Sequence, residues 1–228
     1  MKIQTLVQSS QFAYFLSSID LSDRLKIAEN IRATTKSVLD GQPTILPIPD
    51  DAPPEIPRIM LSSKDKRFIC NVALNRFDFI HKTTNQDTGM ETMEFDDFLL
   101  KEIVLLNKLL FTELDVKSHR LGLIITYHSH LEQEGLAYLK SRYFGNPKDK
   151  AVELQAHRLT QESIAEMNSN NWIRLVAKLP ESEKKILTVI SDVNTSQHEK
   201  FEINSDNALL FYKEAYKISL QTLGQMIV

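Results

Sequence analysis

Residues 43–82 read PTILPIPDDAPPEIPRIMLSSKDKRFICNVALNRFDFIHK, and this stretch decides the fold. Six of the chain's eight prolines fall within its first fifteen residues, from Pro43 to Pro57. Proline fixes φ, lacks a backbone donor and drives its predecessor extended, so this part cannot be helix. It is expected as a stiff, polyproline-like strap that delivers the chain to the edge of a sheet. The pattern then changes to period two. Phe68, Cys70, Val72 and Leu74 point one way, and Arg67, Ile69, Asn71 and Ala73 the other. That alternation marks a half-buried strand, with residues 62–67 as the hairpin turn ahead of it. Residues 58–62 supply the preceding strand, and residues 76–82 a continuation or a third one.

The bulk numbers narrow the classes around this segment. At 228 residues the chain can hold one large domain or two small, tightly packed ones. Hydrophobic content of 42% and charged content of 25% suit a globular protein rather than a disordered one. A formal net charge of −3 argues against a dedicated duplex-DNA binder, which needs a basic face to release counterions. Cys70 is the single cysteine and lies mid-strand on the apolar side, so it is expected as a small buried hydrophobe. One cysteine and no secretory leader fit a cytoplasmic location. No window approaches about eighteen uncharged apolar residues, so no membrane span is expected. The 6 glycines are far apart, which removes the phosphate-cradling glycine loops.

Toward the N-terminus, residues 2–8 alternate loosely and read as a first strand that reaches as far as Leu16. A helix is expected from near Asp20 or Ser22, either of which can cap its first amides. It runs to about Leu39 with Leu25, Ala28, Ile31, Thr35 and Val38 on one stripe, and Gly41 terminates it. Beyond the hairpins, residues 83–92 form a polar loop. A strong helix follows over residues 94–114, where Phe95, Phe98, Leu99, Ile103, Leu106, Leu109 and Leu110 make a face too wide for a solvent-facing helix. Residues 119–131 read as a strand with Leu121, Leu123, Ile125 and Tyr127 on its apolar side. Residues 136–146 are ambiguous and Pro147 ends them. Residues 151–160, 172–179 and 185–193 are further strands, the first two joined by the polar MNSNN loop. Leu209, Tyr212, Tyr216, Leu220 and Leu223 mark a final helix over residues 205–223.

Runs of strands broken by a few long helices give an α+β protein. The expectation is a single domain over residues 1–228, with a largely antiparallel sheet of seven or eight strands and three main helices. Helix-plus-strand-run occurs twice, which suggests a pseudo-repeat of two α+β halves, 1–92 and 93–228, although no residues match between them.

The sharpest chemical pattern is His128-Ser129-His130. Positions i and i+2 of a strand share a face, so both imidazoles can address one divalent metal. A third ligand would come from His157, Glu153 or Asp192, the minimum for a metal-assisted hydrolase with an open position. The plainer reading is partly exposed strand-end histidines. Asp96-Asp97 sit where a helix dipole favours acids, and Asp50-Asp51 read as solvated loop carboxylates. Tyr212, Tyr216 and Phe211 read as core. Lys64, Lys66 and Arg67 on the hairpin, with Lys140, Arg142, Tyr143 and Phe144, interleave basic and aromatic groups that can hold phosphates and stack bases. For a protein partner, Pro53, Pro54, Pro57 and Arg58 can dock a groove, and sheet edges can accept a strand. The apolar tail Gln225-Met226-Ile227-Val228 must pack in the core or into a partner.

Three pieces occur in order: Pro53-Pro54-Glu55-Ile56-Pro57-Arg58, then Asn75-Arg76-Phe77-Asp78-Phe79, then Arg120-Leu121-Gly122-Leu123. With the closing amphipathic helix, the chain resembles a sporadically distributed family of uncharacterised bacterial proteins of similar length. The resemblance implies the order of elements and brings no catalytic residues. The expected function is a non-enzymatic cytoplasmic interaction module that binds another protein or itself. A metal-assisted hydrolase built on His128 and His130 is one alternative, and a nucleic-acid-contacting accessory protein is the other. No cofactor is expected apart from a divalent metal at the histidine pair, and no membrane contact.

Overall fold

A computed structural model describes residues 4–35, 38–49, 51–83, 89–145, 150–179, 181–199 and 201–227. Residues 2–3 of the expected first strand, Asp50, most of the loop after Lys82, Asn146, Pro147 and Val228 lie outside the described residues.

The first strand, β1 (Gln4–Ser18), is long, and its register shifts past Val7 carry Phe12 and Tyr14 to the inner side. Helix α1 (Arg24–Thr34) starts at Asp23, whose carboxylate accepts from the Lys26 amide, rather than at Asp20 or Ser22. It stops at Thr34, and Leu39, expected in its last turn, is instead a buried residue in a bend. Gly41 does not terminate this helix. It lies flat against the next hairpin, where its amide donates to the Ser62 carbonyl at 2.9 Å and a Cβ would strike that oxygen.

Four strands follow: β2 (Thr44–Ile45), β3 (Ile59–Ser62), β4 (Phe68–Val72) and β5 (Arg76–Lys82). A two-residue β6 (Met90–Glu91) leads into α2 (Thr92–Asn107), which continues as a wider helical turn through Glu113. The second half contains β7 (Lys117–His130), α3 (Gly135–Leu139), β8 (Glu153–Ile164), β9 (Met167–Lys178), β10 (Ile186–Thr195) and α4 (Ser205–Ile227). The sheet runs β2-β3-β4-β5-β1-β7-β10-β9-β8 with β6 also on β1, antiparallel at every pairing. Each half thus orders strand, helix, strand meander and helix. That order runs once over residues 4–113 and again over residues 117–227, and β1 pairs with β7 where the two stretches meet in the sheet.

The α+β class and the antiparallel sheet match the sequence expectation, and the counts do not. Among the described residues there are ten strands, because β2 and β6 are two residues each and too short to leave a period-two signature. The fourth helix is α3, inside the segment that read as ambiguous. The MNSNN loop is also corrected: Met167 to Asn171 belong to β9, with Met167, Ser169 and Asn171 buried in alternation. The hairpin turns instead at Ala165 and Glu166, both at positive φ, 50° and 65°. Such turns are normally announced by Asn-Gly, and nothing announces this one. The Ala165 amide donates to Glu214 of α4 at 2.7 Å, which anchors the turn.

The four helices among the described residues all lie on one side of the sheet. Ile27, Ala28 and Ile31 of α1, Phe95, Leu99 and Ile103 of α2, Leu136 and Leu139 of α3, and Phe211, Tyr212 and Tyr216 of α4 join one core. They pack on Phe12, Tyr14, Leu121, Leu123, Ile125, Val189 and their neighbours. Each of the leucine, isoleucine, valine and phenylalanine side chains among them contributes about 1.5–3 kcal/mol by leaving water. The buried tyrosines keep their hydroxyls bonded. Tyr14 donates to Asn107 at 2.8 Å, Tyr212 to the Ala13 carbonyl at 3.0 Å, and Tyr127 shares a 2.8 Å bond with Ser219. Burial pushes all three phenols up, so they stay neutral. Met226 and Ile227 are buried in this core, with Tyr138 and Tyr143 both donating to the Met226 carbonyl, so this part of the tail is packed rather than presented. No described helix is long and apolar enough to cross a membrane.

Candidate functional site

Because a strand's side chains alternate, every strand that packs on the helices sends its other residues to the opposite, uncovered face. At the centre of that face Phe15 of β1 lies opposite Arg76 of β5 and Arg120 of β7. Both guanidinium groups sit over its ring, at 4.8 Å and 4.4 Å from the centroid. Arg76 is held by Asp78 at 2.8 Å, and Gln11 also donates to Asp78 at 2.8 Å. On the other side Arg120 donates to Asn194 Oδ1 and to the Thr195 carbonyl, each at 3.1 Å, and Asn194 donates to Asp192 at 3.0 Å. Partial burial, foremost, pulls the Arg120 guanidinium below its usual range; Asp192 opposes that and Arg76 adds to it. The result is a charged ladder across four strands, each group matched to a neighbour.

Beyond the ladder the face opens into a shallow depression of about 460 Å³ lined by Arg120, Ile124, Trp172, Arg174, Asp192 and Asn194 among others. Trp172, the only tryptophan, is 37% exposed there. Its ring lies 5.8 Å from that of His157, and Leu159 is directly opposite it on β8. Arg174 is exposed, and its side chain makes no hydrogen bond or ion pair among the described residues. Exposed tryptophan beside unengaged arginine is the composition of binding hot spots.

The histidines expected to hold a metal are on this same face but do not converge. His128 and His130 lie on β7 opposite Thr188 and Ile186 of β10. His157 lies on β8, with β10 and β9 in between, and three strand spacings are about 14 Å. Glu153 is on that far strand too, and Asp192 is opposite Ile124, well along β7 from His128. Among the described residues no group of three or more His, Cys, Asp or Glu is placed to hold a metal ion. The two basic groups considered for nucleic acid are likewise apart. Lys64, Lys66 and Arg67 belong to the β3–β4 hairpin, whereas Lys140 and Arg142 follow α3, which packs on β8 and β9 at the other end of the sheet.

The proline segment is built differently from a straight strap. It folds through turns, with the Ala52 amide bonded to the Pro49 carbonyl and Ile56 to Pro53. Arg58 is fully buried at its base. Its guanidinium donates to the carbonyls of Ala52 at 3.1 Å, Pro53 at 2.9 Å, Pro54 and Ile56. A planar fork of donors reaches several carbonyls at once, which a lysine cannot do. Arg58 therefore faces inward and staples the segment, leaving Pro53 and Pro54 exposed on its surface. Nothing in the sequence marks it, since an arginine after a proline reads as surface. The sequence reading of residues 172–179 as a strand singles out neither Trp172 nor Arg174. Their signal was the alternation itself.

Comparison with protein-family models finds no match, and no curated protein matches the chain.

Proposed function

We propose that the chain is a non-enzymatic interaction module that holds a protein partner against the uncovered face of its sheet. One observation carries this reading: all four helices cover one side, and the other carries Trp172, Arg174 and the Phe15 ladder with no layer over them among the described residues. The charged groups of the ladder are matched to each other rather than aimed at a shared point. That suits a surface complementary to a partner better than a reaction centre. Phe15, Ile124, Ile190 and Leu159 supply apolar area between them. The shared element order of the halves supports reading them as a pseudo-repeat about the β1–β7 seam.

The test is retention of a partner by tagged protein in its native cells, comparing wild type with Trp172→Ala and Arg174→Glu. The expected outcome is one partner held by wild type and lost by both variants, with unchanged melting temperatures. Equal retention by both variants would refute the reading. A second reading is favoured by the two arginines over Phe15 and by the exposed Trp172 ring on the same face: single-stranded nucleic acid can stack on such a face. Nuclease treatment before elution separates the two, because only a nucleic-acid ligand is destroyed by it.

A further inference from the structure

We infer that two copies of the chain join edge to edge through β8, extending the sheet across a two-fold axis at Thr160. This is independent of what the uncovered face binds. β8 ends the sheet, is 12 residues long, and only Ile164 of it is buried. No strand among the described residues pairs with its outer side.

The turn sets which backbone groups are left over. Ala165-Glu166 is a two-residue loop closed by Ile164 opposite Met167, so that flanking pair exchanges both hydrogen bonds. Even-numbered residues of β8 therefore bond inward to β9, in line with the Leu179 amide donating to the Val152 carbonyl at 3.0 Å. Odd-numbered residues, Gln155, His157, Leu159, Gln161 and Ser163 among them, aim N–H and C=O outward. A second β8 running antiparallel can accept them only with odd opposite odd and even opposite even.

Charge then selects the register. An axis at Arg158 sets that arginine against its own copy, and an axis at Leu159 sets it against Thr160. An axis at Thr160 sets Arg158 opposite Glu162 of the second copy, twice over. Even-numbered pairs are the non-hydrogen-bonded ones, where side chains across the ladder come closest. The Arg158 side chain makes no hydrogen bond or ion pair among the described residues. Glu162 is held in position by Thr160 at 2.9 Å and Asn171 at 3.2 Å. A charge on an edge strand normally deters pairing; here an opposite charge four residues on converts it to attraction. Exposed apolar groups gather at the same end. Val152, Leu159, Leu179 and Trp172 on or beside the last two strands, with Tyr143 and Phe144 after α3, are six of the eleven most exposed large apolar side chains.

Sedimentation equilibrium tests this with the whole protein. Wild type is expected to be a dimer at micromolar concentration. Arg158→Glu alone and Glu162→Lys alone each place like charges opposite one another and are expected to weaken self-association by roughly a hundredfold. Mixed in equal amounts, the two variants regain both opposite-charge pairs and are expected to form a heterodimer. Circular dichroism melts matching wild type show that both variants fold. A wild type that stays monomeric into the submillimolar range, variants that dimerise as wild type does, or a mixture that stays monomeric would each overturn the inference. None of these outcomes bears on partner retention through Trp172, which is read separately.

Discussion

The two edges of the sheet are finished in opposite ways. At one end β2 is two residues long, and the chain then folds through a proline-rich cover stapled by buried Arg58. At the other end β8 runs 12 residues with its outer backbone groups facing away from β9. The halves share one order of elements, so the difference lies in what each adds at its margin. Proline removes donors and short strands remove templates, and the first half uses both. The second half uses neither. The lesson is that an edge left long and regular is a feature to be explained by association, just as the uncovered face is.

Two arginines, one at each edge, give the largest expected contrast. Arg58→Ala leaves buried carbonyls without a donor and opens a cavity, and should cost about 3 kcal/mol, seen as a drop of about 10 °C in Tm. Arg58→Lys should recover only a small part of this. Arg158→Ala, the same change on an exposed side chain at the other edge, should stay within about 0.5 kcal/mol in monomer stability. Equal costs at the two positions would erase the distinction between a sealed and an open edge.

A second contrast is acid sensitivity, expected to reside in the first half. His81 of β5 is buried between the rings of Phe68 and Phe98, 5.2 Å and 5.0 Å away, with no partner on Nδ1. Burial, with Arg67 adding to it, pulls the imidazole down to about 4. The unfolded chain takes up a proton as pH falls through about 6.5, and the folded protein does so only near 4, so stability is full above that window and declines through it. Between pH 6.5 and 5 the loss attributable to this group is about 2 kcal/mol. Urea melts across that range should show a flatter profile for His81→Phe. An unchanged slope in the variant would remove His81 as the cause.

Much of the architecture was legible because burial writes a period. The alternation at Phe68, Cys70 and Val72 and at Leu121, Leu123, Ile125 and Tyr127 placed β4 and β7, and the broad stripe from Phe95 to Leu110 placed α2. What escaped has no period to write. β2 and β6 are too short, and the Ala165-Glu166 turn uses residues that seldom adopt positive φ. Asn168 to Asn171 look like loop because they are polar, yet a strand accommodates them: Asn171 Nδ2 donates to Glu162 and to Thr222 of α4, while its Oδ1 is buried without a partner. The candidate site was half legible. The sequence placed His128, His130 and His157 on strands, and the fold puts them on one face. Strand order, which no spacing reveals, keeps His157 away.

The most direct test of the uncovered face as the working surface is site-specific photo-crosslinking in native cells. A photoreactive residue at Ile124 or Trp172 probes the open face, and one at Val104 or Leu210, exposed on the outer sides of α2 and α4, probes the covered one. The account predicts a discrete protein adduct from the two open-face positions and none from the helical ones. Adducts arising from the helical positions alone, or no adduct from the open face, would contradict it.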